Sequence, residues 1–432
     1  MFGEGIVRVG YCLNAKKMRR SDSEASNSSQ SHASASGNGH ATSEGEESFG
    51  RVGVSRWRGG GLADLLTAEE DESNNSTNTG SSTCRVRFEP FEAVTNRCLK
   101  PFDVIIHKLT EDLINEERER ESGKGKLSER LEAIRTYLAR NPRTVILDPL
   151  HAVNRVVSRL RTMQSLLSAH TAHHTTTATT APPPFQRPNF LFAVNVDSLL
   201  SQLPLSTLQF PLICKPVAAC GAASSHKMAV IVAAADLSLA PFPCVVTEYL
   251  DHDELLFKVY VIDREVMVFR RRSLPNVEQM MMKVTNGATR EGSKVSSVVF
   301  DSREDYPTAR SFLPAAASEK EEDLLVDVKE IVAPPTKPDE VPFEAFKNAA
   351  QAIRKEFELS LFGFDVVRPS RESRARRNNG ECGGDEEMGS ELVIIDVNYF
   401  PSYKEVADFP QKFRAFLAAK AAEAATSRDD EG

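Results

Sequence analysis

The sequence predicts an amino-terminal α/β domain with a parallel sheet, followed by an α+β region built on antiparallel strands. Three observations carry this reading. Short apolar runs alternate with helical stretches up to about residue 167, the rhythm of strand–helix–strand units. From Phe210 onward strands follow one another through short turns, which suits antiparallel pairing. Long polar tracts interrupt the ordered segments and mark insertions rather than core. With 432 residues, 41% of them hydrophobic and 26% charged, the chain is an ordinary globular composition with enough apolar material for a sizeable core.

The elements follow in order. Ile6–Leu13 (IVRVGYCL) is read as the first strand and leads into the basic cluster Lys16, Lys17, Arg19 and Arg20. Residues 21–83 are dominated by Ser, Asn, Gly and Glu, so a disordered insertion is expected; within it Phe49–Leu66 is less polar and compatible with a short helix. Order resumes near Arg85. Phe102–Lys108 is a short apolar run, hence a buried strand, and Thr110–Arg140 is a charged helical stretch broken at Gly123 and Gly125. Thr144–Leu147 is a further strand, and Leu150–Leu167 has helical spacing before the low-complexity loop 168–184.

The second texture starts with PLICKPVAACGAASSHKMAVIV, which reads strand, small-residue loop, strand. Pro243–Leu250 is another strand. Glu254–Ile262 and Glu265–Arg271 form a hairpin turning at Asp263-Arg264. Residues 285–338 are polar and proline-dotted, an expected insertion. Phe343–Leu359 is an amphipathic helix, Leu361–Val367 and Glu391–Val397 are strands separated by the charged, Gly-rich loop 369–390, and the last helix spans Asp408–Ala425. No internal repeat is evident.

A net charge of −8 disfavours a general nucleic-acid binder. No apolar run approaches the roughly 20 residues of a membrane helix. The first apolar stretch is interrupted by Arg8 and has its basic cluster after it, unlike a secretory signal. Seven scattered cysteines without a CxxC argue against a disulfide scaffold and a structural zinc site, and for a reducing, cytoplasmic compartment. A monomer is expected.

The acids near the end of the chain hold the clearest chemistry. Asp365 sits in LFGFDVV, and Asp396 and Asn398 in VIIDVNYFP, where alternation along a strand puts both on one face. Such oxygen ligands suit magnesium, although acids that merely cap strand ends satisfy the same spacing. Lys215, in the apolar strand LICKPV, precedes the small-residue loop Ala218–Ser225; it is either a phosphate ligand or an edge-strand lysine with a solvated head. That loop matches neither a Walker A motif nor GxGxxG. Glu248-Tyr249-Leu250 ends a strand and can present backbone groups to a base. Lys17, His107, Lys108, Arg159, His226, Lys258 and Arg270–Arg272 are dispersed basic groups that, if they converge, make a site for a highly phosphorylated small molecule. Singly, Arg270–Arg272 read as a solvated charge run. His170, His173 and His174 read as linker composition.

Together the blocks VGYCLNAKK, PFDVIIHKL, VILDPLHAV, FPLICKPVAACG, CVVTEYLDHDELLFKVYVI, RRSLPNV, LFGFDVV and IIDVNYFPSYKEV resemble the inositol-tetrakisphosphate 1-kinases, also called inositol 1,3,4-trisphosphate 5/6-kinases. They occur in the family's order, and the low-complexity tracts fall between them. The resemblance implies an ATP-grasp fold with an N-terminal α/β, or pre-ATP-grasp, domain that helps to bind inositol phosphate (1–148, with the 21–83 insertion). A central ATP-grasp subdomain (149–250) and a C-terminal one carrying the metal site (251–425, with insertions 285–338 and 369–390) would follow. It implies ATP and Mg2+ as cofactors and an inositol polyphosphate as substrate, with no nucleic-acid partner and no membrane insertion.

By the same resemblance Asp365, Asp396 and Asn398 would hold magnesium. Lys215 and Arg159 would contact ATP phosphates, with Lys215, Asp365 and Asp396 as the catalytic set. Glu248, Tyr249 and Leu250 would be the adenine hinge, and Ser273 would lie near the nucleotide. Lys17, His107, Lys108, His226, Lys258 and Asn398 would face the substrate. Two departures stand out. Cys220 occupies a position where the family often carries His or Asn, and the loop is one residue longer before His226. Two rivals are named: an ATP-grasp carboxylate–amine ligase, whose acceptor site must hold a carboxylate and an amine, and a non-catalytic inositol phosphate sensor.

Overall fold

The computed structural model describes residues 6–13, 85–91, 100–123, 127–176, 184–285, 295–304, 306–313, 341–377 and 392–426. Lys17 and the 21–83 tract, with Phe49–Leu66, lie outside the described residues. The chain divides into two units: Met1–Leu109, Ala133–Leu147 and Ser402–Gly432 form the first, and Thr110–Glu132 and Asp148–Pro401 the second. No helix among the described residues is long and apolar enough to cross a membrane.

The first unit is a parallel sheet of β1 (Ile6–Leu13), β2 (Arg85–Pro90), β3 (Val104–Lys108) and β4 (Val145–Ile146), in the order β2-β1-β3-β4. β1 and β3 bury most of their positions, as strands of a parallel sheet covered on both faces do. Gly10 in β1 is required by packing: a Cβ there would lie 2.7 Å from the Phe102 ring. Arg8 reaches from β1 to Glu89 of β2 at 2.8 Å. Phe91, Phe102 and Tyr137 cluster beside the sheet, and the Tyr137 hydroxyl accepts from the Phe102 amide at 2.9 Å. The carboxy-terminal helix spans Phe409–Thr426 and contributes Phe413, which stacks on Phe88 of β2 at 6.3 Å.

The second unit holds two antiparallel sheets. One has the order β11-β7-β6-β8-β5, from β5 (Phe190–Ala193), β6 (Leu212–Pro216), β7 (Lys227–Ile231), β8 (Cys244–Glu248) and β11 (Val298–Asp301). The other has the order β10-β9-β12-β13, from β9 (Leu255–Ile262), β10 (Glu265–Arg272), β12 (Leu361–Val367) and β13 (Val393–Tyr399). The helices among the described residues, in order, are α1 (Thr110–Glu121), α2 (Glu129–Arg140), α3 (Leu150–Asn154), α4 (Arg159–Thr176), α5 (Val196–Gln202), α6 (Val277–Thr285), α7 (Phe343–Phe357), α8 (Arg371–Arg377) and α9, the Phe409–Thr426 helix. α7 buries Ala345, Phe346, Ala349, Ala350, Ile353 and Phe357, one stripe at helical spacing, with Phe346 against Phe257 of β9. The Asp148 carboxylate accepts from the amides of Ser360 and Leu361 and so fixes the start of β12.

Several elements differ from the sequence reading, each for a tertiary reason. Leu150–Leu167 is not one helix. It is interrupted between α3 and α4 because the Arg159 amide donates to the Val217 carbonyl (2.8 Å) and Ser158 bridges Ala218. α4 then continues to Thr176, into the segment expected as the 168–184 loop. The expected insertion 285–338 contains β11, whose VVFD run pairs along the edge of β7. The expected loop 369–390 contains α8. β2, β5 and α5 had no counterpart in the pattern. α9, grouped with the C-terminal subdomain by sequence, belongs to the first unit, while Thr110–Glu132 belongs to the second.

Candidate active site

The acids come together by strand register. Asp365 of β12 is paired with Asp396 of β13, and Gly363 with Asn398, so the three side chains project from one face of one strand pair. The Asn398 amide donates to Asp396 Oδ2 at 3.3 Å. A side chain at Gly363 would crowd this edge, since its Cβ would lie 3.0 Å from the Val259 carbonyl oxygen and 3.2 Å from Pro401 Cγ. Burial pushes the Asp365 carboxyl up; Lys258 opposes that and the neighbouring Asp396 adds to it. Lys258 Nζ lies 3.1 Å from Asp365 Oδ1, in the register position of β9 opposite Asp365. The lysine expected to face substrate phosphates is thus the ion-pair partner of an acid in this structure.

Lys215 reaches the same place from the other sheet. It is buried near the end of β6, and its Nζ donates to the Ile395 carbonyl at 3.1 Å, the residue before Asp396. Burial pushes its ammonium down, Asp396 pulls it up, Arg159 lowers it and Asp365 raises it. Arg159 is buried at the start of α4. Its Nη1 donates to the carbonyls of Pro216 and Ala218, both at 2.8 Å, so this nitrogen organises the loop that follows Lys215. Burial pushes the Arg159 guanidinium down, against the pull of Asp396. In the loop beyond, Gly221 has φ +87°, a conformation that favours glycine, and the Ser225 hydroxyl donates to the Cys220 carbonyl at 3.1 Å.

The strand end Glu248–Leu250 closes the other side of the sheet. The Glu248 carboxylate accepts from the Asn189 amide at 2.9 Å and pairs with Arg377 at 3.2 Å. Tyr249 is buried, its hydroxyl donates to the Pro275 carbonyl, and burial pushes the phenol well up. Side chains are therefore occupied, and backbone is what this segment offers a ligand. Behind it, buried His252 lies between the Leu250 carbonyl and the Ser273 hydroxyl (2.7 Å). Burial pushes the imidazole down, and a carbonyl can only accept, so Nδ1 carries the proton and Nε2 accepts from Ser273. Asp251 accepts from the amides of Glu278 (3.0 Å) and Gln279 (2.8 Å), capping α6 from a distant segment.

Among the expected substrate residues, His226 precedes β7, and its carbonyl accepts from the Ser302 amide at 2.9 Å, at the end of the unforeseen β11. His107 and Lys108 end β3 in the first unit, where His107 is buried and paired with Cys12, and Lys108 with Leu13. Among the described residues no three His, Cys, Asp or Glu side chains gather as a metal cluster. The oxygen set is two carboxylates and one amide. Sequence reasoning missed Asp251, His252, Arg376 and Arg377. The only signal for the arginines was their repetition in RESRARR, which in a charged loop reads as solvated.

A family model described as the inositol 1,3,4-trisphosphate 5/6-kinase ATP-grasp domain matches residues 183–419, more than half of the chain. This chain belongs to that family. Its match spans both antiparallel sheets and the acids of β12 and β13, and it makes the fold an ATP-grasp fold. Among relatives, inositol-tetrakisphosphate 1-kinase 5 of Oryza sativa subsp. japonica is 29% identical over 314 residues, 72% of this chain and 74% of that protein. Inositol-tetrakisphosphate 1-kinase 1 of Zea mays is 29% identical over 311 residues, 72% of each chain. Inositol-tetrakisphosphate 1-kinase of Xenopus laevis is 30% identical over 310 residues, 72% of this chain and 65% of that one.

Proposed function

We propose that this chain is an ATP-dependent kinase that transfers the γ-phosphoryl group of ATP to a ring hydroxyl of an inositol tris- or tetrakisphosphate. The observation that carries the reading is the meeting of Lys215 with Asp365, Asp396 and Asn398 in a member of this family. In the transfer the hydroxyl oxygen bonds to the γ-phosphorus, the bond to the β–γ bridging oxygen breaks, and ADP leaves with the electron pair while the hydroxyl proton is released. Such catalysis is mainly positioning and charge stabilisation.

The residues fit a magnesium site. Asp365, Asp396 and Asn398 offer hard oxygen donors, and two carboxylates paired across adjacent strands, one pushed up by burial, favour a cation between them. Bound there, magnesium would neutralise phosphate oxygens. Lys215 would place its ammonium against the same phosphates from the opposite sheet, with Arg159 holding the loop behind it. Glu248–Leu250 would hold the base through backbone groups, with Ser273 kept nearby by His252. Within the second unit, His226, Lys258 and Asn398 are assigned to substrate phosphates. For Lys258 this means alternating between Asp365 and substrate. A reducing, cytoplasmic compartment is the reading for a chain whose seven cysteines are scattered without a CxxC.

The test is turnover by purified protein with labelled ATP, magnesium and a panel of inositol tris-, tetrakis- and hexakisphosphates, with products resolved by isomer. A new phosphorylated isomer is expected. Phosphate release that depends on an amino-acid acceptor, with no phosphorylated inositol, would replace the kinase by the ligase. Binding of ATP and inositol phosphate without any product would replace it by a sensor.

A further inference from the structure

The connection between β12 and β13 carries α8, and one face of that helix is spent on the segment assigned to the base. We infer that Arg376 and Arg377 are positioning residues for the nucleotide, fixing the backbone hinge Glu248–Leu250 from behind; the inference rests on the reading of that segment as the hinge.

A proline sits where the β6–β8 ladder ends. β6 and β8 pair up to Leu212 and Glu248, and the next pair outward is Pro211 with Tyr249. The Tyr249 amide donates to the Pro211 carbonyl at 3.1 Å. Proline has no N–H to return, so the Tyr249 carbonyl has no ladder donor. Arg376 supplies one: Nη2 donates to Tyr249 O at 3.2 Å, and Nη1 donates to Phe210 O at 3.3 Å. A single guanidinium therefore spans both strands where their ladder stops. It is itself held by Glu278, 3.0 Å away at the start of α6.

Arg377 acts one residue earlier on the strand. Its Nε lies 3.2 Å from Glu248 Oε1, and its Nη2 donates to the Arg187 carbonyl at 2.9 Å. Ser373 completes the contact. It is fully buried, accepts from the Asp251 amide at 3.1 Å and donates to Glu278 at 2.9 Å. Ser373, Arg376 and Arg377 are at i, i+3 and i+4, one face of a helix, and they address Asp251, Tyr249 and Glu248 in turn. Three of the four residues from 248 to 251 are thus bonded to α8. The helix lies on the covalent link between the strands of Asp365 and Asp396, so the grip on the base and the acids of the phosphate site share one connection. A base docked on backbone needs that backbone held to within about an ångström.

Removing Arg376 alone leaves Glu278 buried without its cation. The working variant is therefore Arg376→Met combined with Glu278→Gln, with Arg376→Lys beside it. The measurements are KM for ATP, KM for the inositol phosphate, kcat, and the melting temperature without nucleotide. Loss of a charge-assisted bond to the hinge is expected to raise the ATP KM roughly tenfold, and the inositol phosphate KM far less. Lysine should restore part of the ATP affinity, since it returns the charge but not the two-carbonyl fork. An unchanged ATP KM in either folded variant overturns the inference and leaves α8 a purely structural brace. So does an equal rise in both KM values that tracks a lowered melting temperature. Hydrogen exchange of the wild-type protein separates this from failure of the underlying reading. If ATP with magnesium gives no protection over Glu248–Leu250, the hinge assignment itself falls and the inference with it.

Discussion

Asp251 is the residue at which burial and charge conflict most openly. Its carboxyl is pushed up to about 7 by burial, against the two amides of α6 that it accepts. The folded chain therefore holds this proton more tightly than the unfolded chain, whose aspartates titrate near 3.9. The contribution of Asp251 to stability is greatest below about pH 4 and declines as pH rises toward about 7, by on the order of 4 kcal/mol. Asp251→Asn should flatten the fall in melting temperature across that interval while the cap oxygen remains. A wild-type slope in the mutant would contradict this. Lys258 and Asp365 make a second case. Their side chains are 20% and 17% exposed, so removing one leaves the other poorly solvated. Lys258→Ala should cost about 2 kcal/mol of unfolding free energy in the Asp365 background and much less beside Asp365→Asn, as urea denaturation of the double-mutant cycle would register. At this scale the sequence was legible where a polar residue interrupts an apolar strand, as Lys215, Asp365 and Asp396 do. The sequence marks Arg159 as a candidate but does not show its bonds to the carbonyls of Pro216 and Ala218, and it gives no sign of Arg376, whose role depends on the missing N–H of Pro211.

At the scale of elements, periodicity carried furthest where one face alone is buried. The stripe of α7 is visible in the pattern because its buried residues recur at helical spacing, and the hairpin of β9 and β10 is visible because two apolar runs flank the turn Asp263-Arg264. Ile353 lies in that stripe with no exposed surface, and Ile353→Ala should lower stability by about 2–4 kcal/mol, against less than about 0.5 kcal/mol for exposed Lys347→Ala. Equal midpoints for the two in urea would show that α7 does not pack as described. Elements were lost where the determinant is a distant partner. β11 is four residues long and exists as an edge beside β7, inside a stretch whose composition reads as insertion. α8 is seven residues of mostly charged sequence held by Glu248, Asp251 and Glu278. The break between α3 and α4 likewise depends on Val217 and Ala218, some 60 residues away.

At the scale of the whole molecule, the change of texture near Phe210 was legible because antiparallel strands can follow one another through short turns, whereas parallel strands need a crossover. The first unit's sheet is parallel and both sheets of the second are antiparallel. The grouping of segments was not legible, since α9 returns from the end of the chain to the first unit through Phe413 against Phe88. Lys215, Glu248–Leu250, Asp365, Asp396 and Asn398 all belong to the second unit. Phosphoryl transfer to an inositol polyphosphate is proposed to depend on this strand-paired set of acids. The most direct measurement is the isomer-resolved turnover of Asp365→Asn beside the wild-type enzyme, with ATP binding and melting temperature recorded on both. The expected result is a folded mutant that still binds ATP and loses about a hundredfold or more of kcat. Wild-type turnover in the folded mutant would contradict it.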